Sequence, residues 1–157
     1  MFDQINGLPV HALIVHAVVI FVPLLAVGAI VYALVARLRT KIGWAVGLLA
    51  IVAPISALVA MLSGNKLHQR LLDQGLKGKG AEILADHQGF GVLTFWFSLG
   101  LGVVTLVMLA MTLRRSASLP KGADIGLAVV MVALAAVTAY YCFRTGDSGA
   151  TAVWGEY

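Results

Sequence analysis

The sequence predicts an all-α membrane protein in which four transmembrane helices form an antiparallel up-down bundle. Hydrophobic residues make up 61% of the 157 residues and charged residues only 11%, whereas soluble domains carry roughly 25% charged residues. The mean hydropathy is +0.96. Four apolar segments reach the length of about 20 residues that a helix needs to cross a bilayer core. We therefore expect one transmembrane domain whose surface faces the lipid bilayer.

The four predicted spans lie near residues 9–36, 43–63, 88–113 and 124–143. Pro23 falls within the first span and Pro54 within the second, and each is expected to kink its helix because proline lacks an amide donor. Gly43 and Gly47 form a small-xxx-small pair, which allows close helix approach. The spans are thus predicted to be bent and closely packed.

Two segments outside the spans have a different character. Leu67, Leu71 and Leu72 share one side at helical spacing, with polar residues opposite. This pattern predicts a short interfacial helix between spans two and three. Residues 144–157 are too polar and glycine-rich to span, and are predicted to form a C-terminal tail.

The four histidines are predicted to lie on one face of the membrane. Four spans place both termini on the same side, and the helix ends on that side carry His11, His16, His68, His87 and Asp147. The opposite loops hold six basic residues close to the spans, against five on the histidine side. Because loops rich in Lys and Arg stay cytoplasmic, we expect the histidine face and both termini to be extracytoplasmic.

His16 and His87 are the histidines predicted to point into the bundle. On the His87 side of span three, the small or weakly polar residues are Gly91, Thr94, Ser98, Gly102 and Thr105. Such residues mark the bundle-facing side of membrane helices. His11 and His16 are five residues apart, about 140° around a helix, so they are not expected to chelate one ion together. We expect His16 to face His87, and His11 to lie at the rim near His68 and Asp147.

Three hypotheses describe what these residues do. In the first, His16 and His87 bind the two faces of a b-type haem, and Arg70, Lys66 or Arg144 pairs with its propionates. In the second, His11 or His16 joins His87, His68 and Asp147 around zinc or copper, since imidazole and carboxylate ligands suit both metals. The candidate metal ligands are His11, His16, His68, His87 and Asp147. In the third, the histidines only bond backbone carbonyls and fix the packing.

Several function classes lack support in the sequence. It contains no nucleophile triad, phosphate-binding loop or dinucleotide fingerprint, so we do not expect an enzyme by itself. Cys142 is the only cysteine, which excludes a thiolate metal cluster. The net charge of +4 includes no basic stretch interleaved with aromatic residues, so no nucleic-acid partner is expected.

The chain resembles a known family at its most distinctive segments. These segments are residues 6–16, 63–64, 86–87, 144–150 and 153–155. Together they resemble the bacterial domain-of-unknown-function family number 2231 over nearly the whole chain. The resemblance implies a four-helix protein of the bacterial cell (inner) membrane, with motif positions at His11, His16, His87 and Asp147. Some relatives resemble this domain joined to a Rieske-type iron–sulfur domain, which implies a redox setting. This chain has no such domain and no cysteines to hold a cluster.

The leading functional hypothesis is therefore a histidine-lined haem or transition-metal site at the extracytoplasmic face, serving electron transfer or metal handling. It implies a redox partner or further membrane subunits. The alternative is a non-enzymatic structural or accessory subunit that packs through Gly43, Gly47 and the glycines of span three against a larger membrane complex.

Overall fold

The computed structural model describes residues 4–5, 8–114 and 119–155, and shows a bundle of four long helices. Two short strands, β1 (Gln4–Ile5) and β2 (Leu8–Pro9), pair antiparallel before the first helix. The helices are α1 (Val10–Leu34), α2 (Arg39–Asp73), α3 (Lys79–Arg114) and α4 (Lys121–Trp154), and a 3₁₀ turn (Ala36–Leu38) joins α1 to α2. All four helices are long and apolar enough to cross a membrane. The predicted fold class is confirmed.

The helices form a ring in chain order. Each packs against the next, α4 closes the ring against α1, and α1 lies diagonally across from α3. Large side chains that are fully buried along the bundle axis include Val22, Leu25, Leu101, Met108 and Met131. Trp44, Trp96 and many aliphatic residues are exposed on the outside. Lipid tails are as apolar as these side chains, so the exposed surface suits a bilayer.

The interfacial helix predicted between spans two and three is not confirmed. Residues 63–73 continue α2, which runs unbroken from Arg39 to Asp73. Its turn begins only afterwards, where Gly75 and Gly78 adopt positive φ angles of 96° and 65°. The leucine pattern of this segment therefore belongs to the last turns of a long helix.

The segment predicted as a C-terminal tail is helical over most of its length. Residues 144–154 form the last turns of α4, which ends at Trp154. The hydroxyls of Ser148 and Thr151 donate to carbonyls of the preceding turn, so these polar residues are accommodated within the helix. Residues 156–157 lie outside the described part of the chain.

The bundle consists of two hairpins with matching burial patterns: the first hairpin, α1 with α2, and the second hairpin, α3 with α4. Buried positions of α1 and α3 correspond at one constant offset in residue number, namely Val18 with Thr94, Val22 with Ser98, Leu25 with Leu101, Ala29 with Thr105 and Tyr32 with Met108. Those of α2 and α4 correspond at a second constant offset, namely Val46 with Met131, Ala50 with Ala135, Ala53 with Thr138 and Ala57 with Cys142. Because α1 and α3 run in the same direction, the hairpins are related by a pseudo-twofold axis along the bundle. This is the arrangement of a parallel internal repeat.

Candidate functional site

Two histidines meet on the pseudo-twofold axis at one end of the bundle. The ring centroids of His11 and His87 are 6.0 Å apart and the rings are nearly perpendicular, at 83°. His11 is the second residue of α1, and His87 lies in the early turns of α3. The two positions are separated by the same offset in residue number that relates the buried positions of α1 to those of α3. The histidine pair is therefore built from equivalent positions of the two hairpins.

Each histidine of the pair is anchored to the second helix of its own hairpin. The Nδ1–H of His11 donates to the carbonyl of Ala60 on α2, over 2.9 Å. The Nδ1–H of His87 donates to the carbonyl of Thr145 on α4, also over 2.9 Å. Ala60 and Thr145 are separated by the offset that relates α2 to α4, so the anchoring bond is repeated as well.

A serine and a glycine complete both anchors. Ser63 lies 3.5 Å from His11 Nδ1, and Ser148 lies 3.2 Å from His87 Nδ1. A methyl group added at Gly64 would lie 2.9 Å from Cε1 of His11, and one added at Gly149 would lie 2.9 Å from Cε1 of His87. Both rings therefore rest on a bare helix backbone, which explains why glycine occupies these two positions.

These hydrogen bonds decide the tautomer of both rings. A carbonyl oxygen only accepts hydrogen bonds, so the proton of a neutral ring must sit on Nδ1. Nε2 then carries a lone pair in both His11 and His87. Metal-binding histidines show this pattern, since they usually donate the other ring N–H to a carbonyl or carboxylate, which fixes the ring orientation.

His16, in contrast, does not face His87 as the sequence interpretation expected. Its side chain is exposed, and its Nδ1 bonds the carbonyl of Ala12 in the same helix. The five-residue spacing correctly separated the two histidines of α1, but the inward position belongs to His11. The stripe on α3 did indicate the correct orientation for His87.

His68 and Asp147 lie apart from the histidine pair's anchors. His68 Nδ1 donates to the side-chain oxygen of Gln88, whose amide nitrogen donates to Asn65 over 2.8 Å. Asp147 is exposed on α4. Within residues 8–114 and 119–155, no three His, Cys, Asp or Glu side chains are grouped so that they could hold a metal ion. The predicted set, His11 or His16 with His68, His87 and Asp147, is therefore not grouped around one point.

Arg70 and Arg144, the two arginines predicted to pair with haem propionates, make contacts with residues other than the histidine pair. Arg144 stacks on the ring of Phe90, with its guanidinium carbon 4.4 Å from the ring centroid. It also donates to the hydroxyl of Tyr140 over 3.0 Å. Arg70 lines a shallow groove with Ser63 and Lys66. The stacking of Arg144 is a cation–π contact, which was not foreseen from the sequence.

A second polar cluster, also unforeseen, lies at the opposite end of the bundle. Arg39 is 3% exposed and forms a 2.7 Å ion pair with Asp124. Its guanidinium also donates to the carbonyls of Tyr32 and Ala33 in the last turn of α1, and the Tyr32 hydroxyl bonds Thr112 on α3. One signal was present in the sequence: Asp124 is the one acid in the basic loops of this face.

The fold and these two clusters define a multi-pass membrane protein with a histidine pair on its internal axis. The family model described as a predicted membrane protein, DUF2231, matches residues 7–156. The chain belongs to this family, which confirms the resemblance. No curated protein and no solved structure matches the chain.

Proposed function

We propose that His11 and His87 together bind one transition-metal ion through their Nε2 atoms, and that the protein serves metal handling or electron transfer at this face of the membrane. The single observation that carries the proposal is the symmetric pair of Nδ1–H bonds to the carbonyls of Ala60 and Thr145. They leave two imidazole lone pairs for a shared ligand.

The spacing of the rings supports this proposal. A zinc–nitrogen bond is about 2.0–2.1 Å long, and two imidazoles on opposite sides of one ion therefore have centroids about 6 Å apart. The observed separation is 6.0 Å. This separation supports the proposal that His11 and His87 share one ion.

The ligand set favours copper. Zinc sites are almost always completed by four ligands, and the described residues supply no third histidine, cysteine or carboxylate to this pair. Copper tops the affinity order of the divalent first-row metals for nitrogen ligands. A haem is less favoured, because both rings rest against the backbone at Gly64 and Gly149. A porphyrin between them would have to displace α2 and α4.

The proposal keeps the topology inferred from the loop charges. The histidine face and both termini are extracytoplasmic in the bacterial inner membrane, so the ion would be exchanged with that compartment. If the site transfers electrons, its partner is a redox protein on the same side.

Metal counting tests the proposal. The detergent-purified protein is loaded with cupric ion, desalted and analysed by mass spectrometry. Zinc is loaded in a separate sample, and a visible spectrum of the isolated protein is searched for a Soret band. We expect one copper per chain, near-complete loss in His11→Ala and in His87→Ala, and full binding in His16→Ala, whose ring is exposed.

Glycine variants provide a matched series that leaves both histidines present. Gly64→Ala and Gly149→Ala push against a histidine ring, whereas Gly146→Ala on the same helix as Gly149 meets nothing within 4 Å. The first two should weaken copper binding and the third should not. Absence of copper and zinc from the wild type, with no Soret band, would leave the accessory-subunit alternative.

A further inference from the structure

The cores of the two hairpins differ in polarity at equivalent depths. In the first hairpin, the positions concerned are apolar: Val18, Val22, Ala29, Ala53 and Ala60. In the second hairpin, the equivalent positions all carry a hydroxyl: Thr94, Ser98, Thr105, Thr138 and Thr145. The polar side chains therefore form a line along one side of the pseudo-twofold axis, here named the hydroxyl line.

The hydroxyl line begins at the histidine pair. His87 bonds the carbonyl of Thr145, and the Thr145 hydroxyl lies 2.9 Å from that of Thr94. One turn further along α3, the fully buried Ser98 donates to the carbonyl of Phe95. At the other end of the bundle, Thr112 bonds the Tyr32 hydroxyl beside Arg39. The line thus extends between the polar clusters at the two ends.

Two members of the hydroxyl line lack a partner in the middle of the bundle. Within the described residues, Thr105 Oγ1 and Thr138 Oγ1 are buried and make no hydrogen bond, and both residues are 0% exposed. Thr94 and Thr145, by comparison, lie within hydrogen-bond distance of each other and of carbonyls of their own helices, so each hydroxyl proton has an acceptor. A buried hydroxyl without a partner is costly, and in membrane helices ordered water often supplies the missing bond.

Residue spacing along α3 sets how much water the hydroxyl line needs. Thr94 and Ser98 are four residues apart, about 6 Å along a helix, and Ser98, Thr105 and Thr112 follow at intervals of seven residues, about 10 Å each. Thr138 on α4 lies seven residues from Thr145 towards the same middle region. At hydrogen bonds of about 2.8 Å, a 6 Å gap takes about one water and a 10 Å gap about three.

We propose that the hydroxyl line, completed by buried water at Thr105 and Thr138, conducts protons between the histidine end and the Arg39–Asp124 end of the bundle. In each step, a hydroxyl or water oxygen accepts one proton and releases another to the next oxygen, so every group is restored after the proton passes. The net reaction is movement of one proton across the membrane along an existing gradient. It needs no metal and is independent of the function proposed above.

Proton flux in sealed liposomes tests this inference. The full-length protein is reconstituted in phosphatidylcholine–phosphatidylglycerol vesicles that contain a pH-sensitive dye, and potassium with valinomycin compensates the charge that moves. After an external pH jump, we expect the wild type to equilibrate faster than protein-free vesicles. Thr105→Val and Thr138→Val should reduce the rate to that of protein-free vesicles.

Two control variants keep the test decisive. Ser56→Ala removes a buried hydroxyl of the first hairpin, whose bond is to Val52 of its own helix, and should conduct like the wild type. Thr105→Ser keeps the hydroxyl and should also conduct, whether or not Thr105→Val folds well. The inference is overturned if the wild type is no faster than empty vesicles, or if both valine variants conduct like Ser56→Ala.

Discussion

The two hairpins have the same arrangement of helices and buried positions, but they differ in the side chains at some of these positions. Both contain a histidine anchored to a carbonyl, with a serine three residues and a glycine four residues after that carbonyl: Ala60 with Ser63 and Gly64, and Thr145 with Ser148 and Gly149. Their cores, however, differ at five equivalent positions, which are apolar in the first hairpin and carry hydroxyls in the second. The histidine, serine and glycine of each anchor are identical in the two hairpins, and they lie at the histidine end of the axis. The histidine pair therefore takes one residue from each hairpin, whereas all five residues of the hydroxyl line belong to the second hairpin.

At the opposite end of the bundle, two equivalent positions of the hairpins carry opposite charges. Arg39 and Asp124 are separated by the offset that relates α2 to α4, so they occupy equivalent positions of these two helices. Here the pair is complementary rather than identical, and its members form an ion pair. Two copies of the first hairpin would bring Arg39 against Arg39. The charges therefore favour association of unlike hairpins within one chain.

The largest effect is expected from breaking this ion pair. Asp124→Ala leaves the Arg39 charge buried without its carboxylate, and we expect a loss of about 3 kcal/mol in the free energy of unfolding, at the low end for a buried pair because Asp124 is partly exposed. Unfolding in detergent micelles, titrated with dodecyl sulfate and followed by circular dichroism, measures this loss. Asp147→Ala, an exposed acid on the same helix, should change stability by less than about 0.5 kcal/mol.

A double variant separates charge burial from packing. Adding Arg39→Met to Asp124→Ala removes the stranded charge, so it should recover part of the lost stability, although the carbonyls of Tyr32 and Ala33 lose their donor. If Asp124→Ala and Asp147→Ala are equally stable, the ion pair does not hold the two hairpins together.

The helices and the membrane setting could be predicted because length and hydropathy are local properties of the chain. The helices α2 and α4 extend beyond the ends of the predicted spans. Polar residues near a membrane interface suggest that a helix stops there, but their hydroxyls can bond within the helix, as that of Ser148 does. The orientation of His87 followed from its small-residue stripe. That of His11 and His16 did not, because span one is apolar on every side and its hydrophobic pattern cannot distinguish them.

The internal repeat could not be recognised from the sequence either. Equivalent core positions carry residues of different polarity, such as Ala29 in α1 and Thr105 in α3. The connections between paired helices also differ in length, since the offset between equivalent positions is larger for α2 and α4 than for α1 and α3. The two hairpins can be aligned only from the positions that are buried in the structure. The sequence interpretation lacked this alignment and therefore did not pair His11 with His87.

A second difference between the hairpins concerns how closely their helices approach, and it predicts an intermediate effect. A methyl group at Gly102 would lie 2.5 Å from the carbonyl oxygen of Ala50, which Pro54 has freed from its helical bond. Gly102→Ala should therefore cost about 2 kcal/mol through overpacking. The equivalent residue of the first hairpin is Ala26, where a methyl group is accommodated.

Gly100→Ala is the matched control for this close approach. A methyl group there meets its nearest atom, on Leu134, at 3.9 Å, an ordinary contact. Because alanine is favoured over glycine in helices by about 1 kcal/mol, this variant should be neutral or stabilising in the same titration. Equal stability of the two variants would mean that α2 and α3 are not held together by this contact.

The smallest effect is expected from the hydroxyl pair that distinguishes the second hairpin near the histidines. Thr94→Val gives α3 the residue that α1 has at the equivalent position, Val18, and removes the 2.9 Å bond to Thr145. Hydrogen bonds between membrane helices average about 0.6 kcal/mol, because the unfolded chain also finds partners within the membrane. A double-mutant cycle with Thr145→Val isolates this term, which should be near that value. A coupling of zero would mean that the contact between the Thr94 and Thr145 hydroxyls does not stabilise the second hairpin.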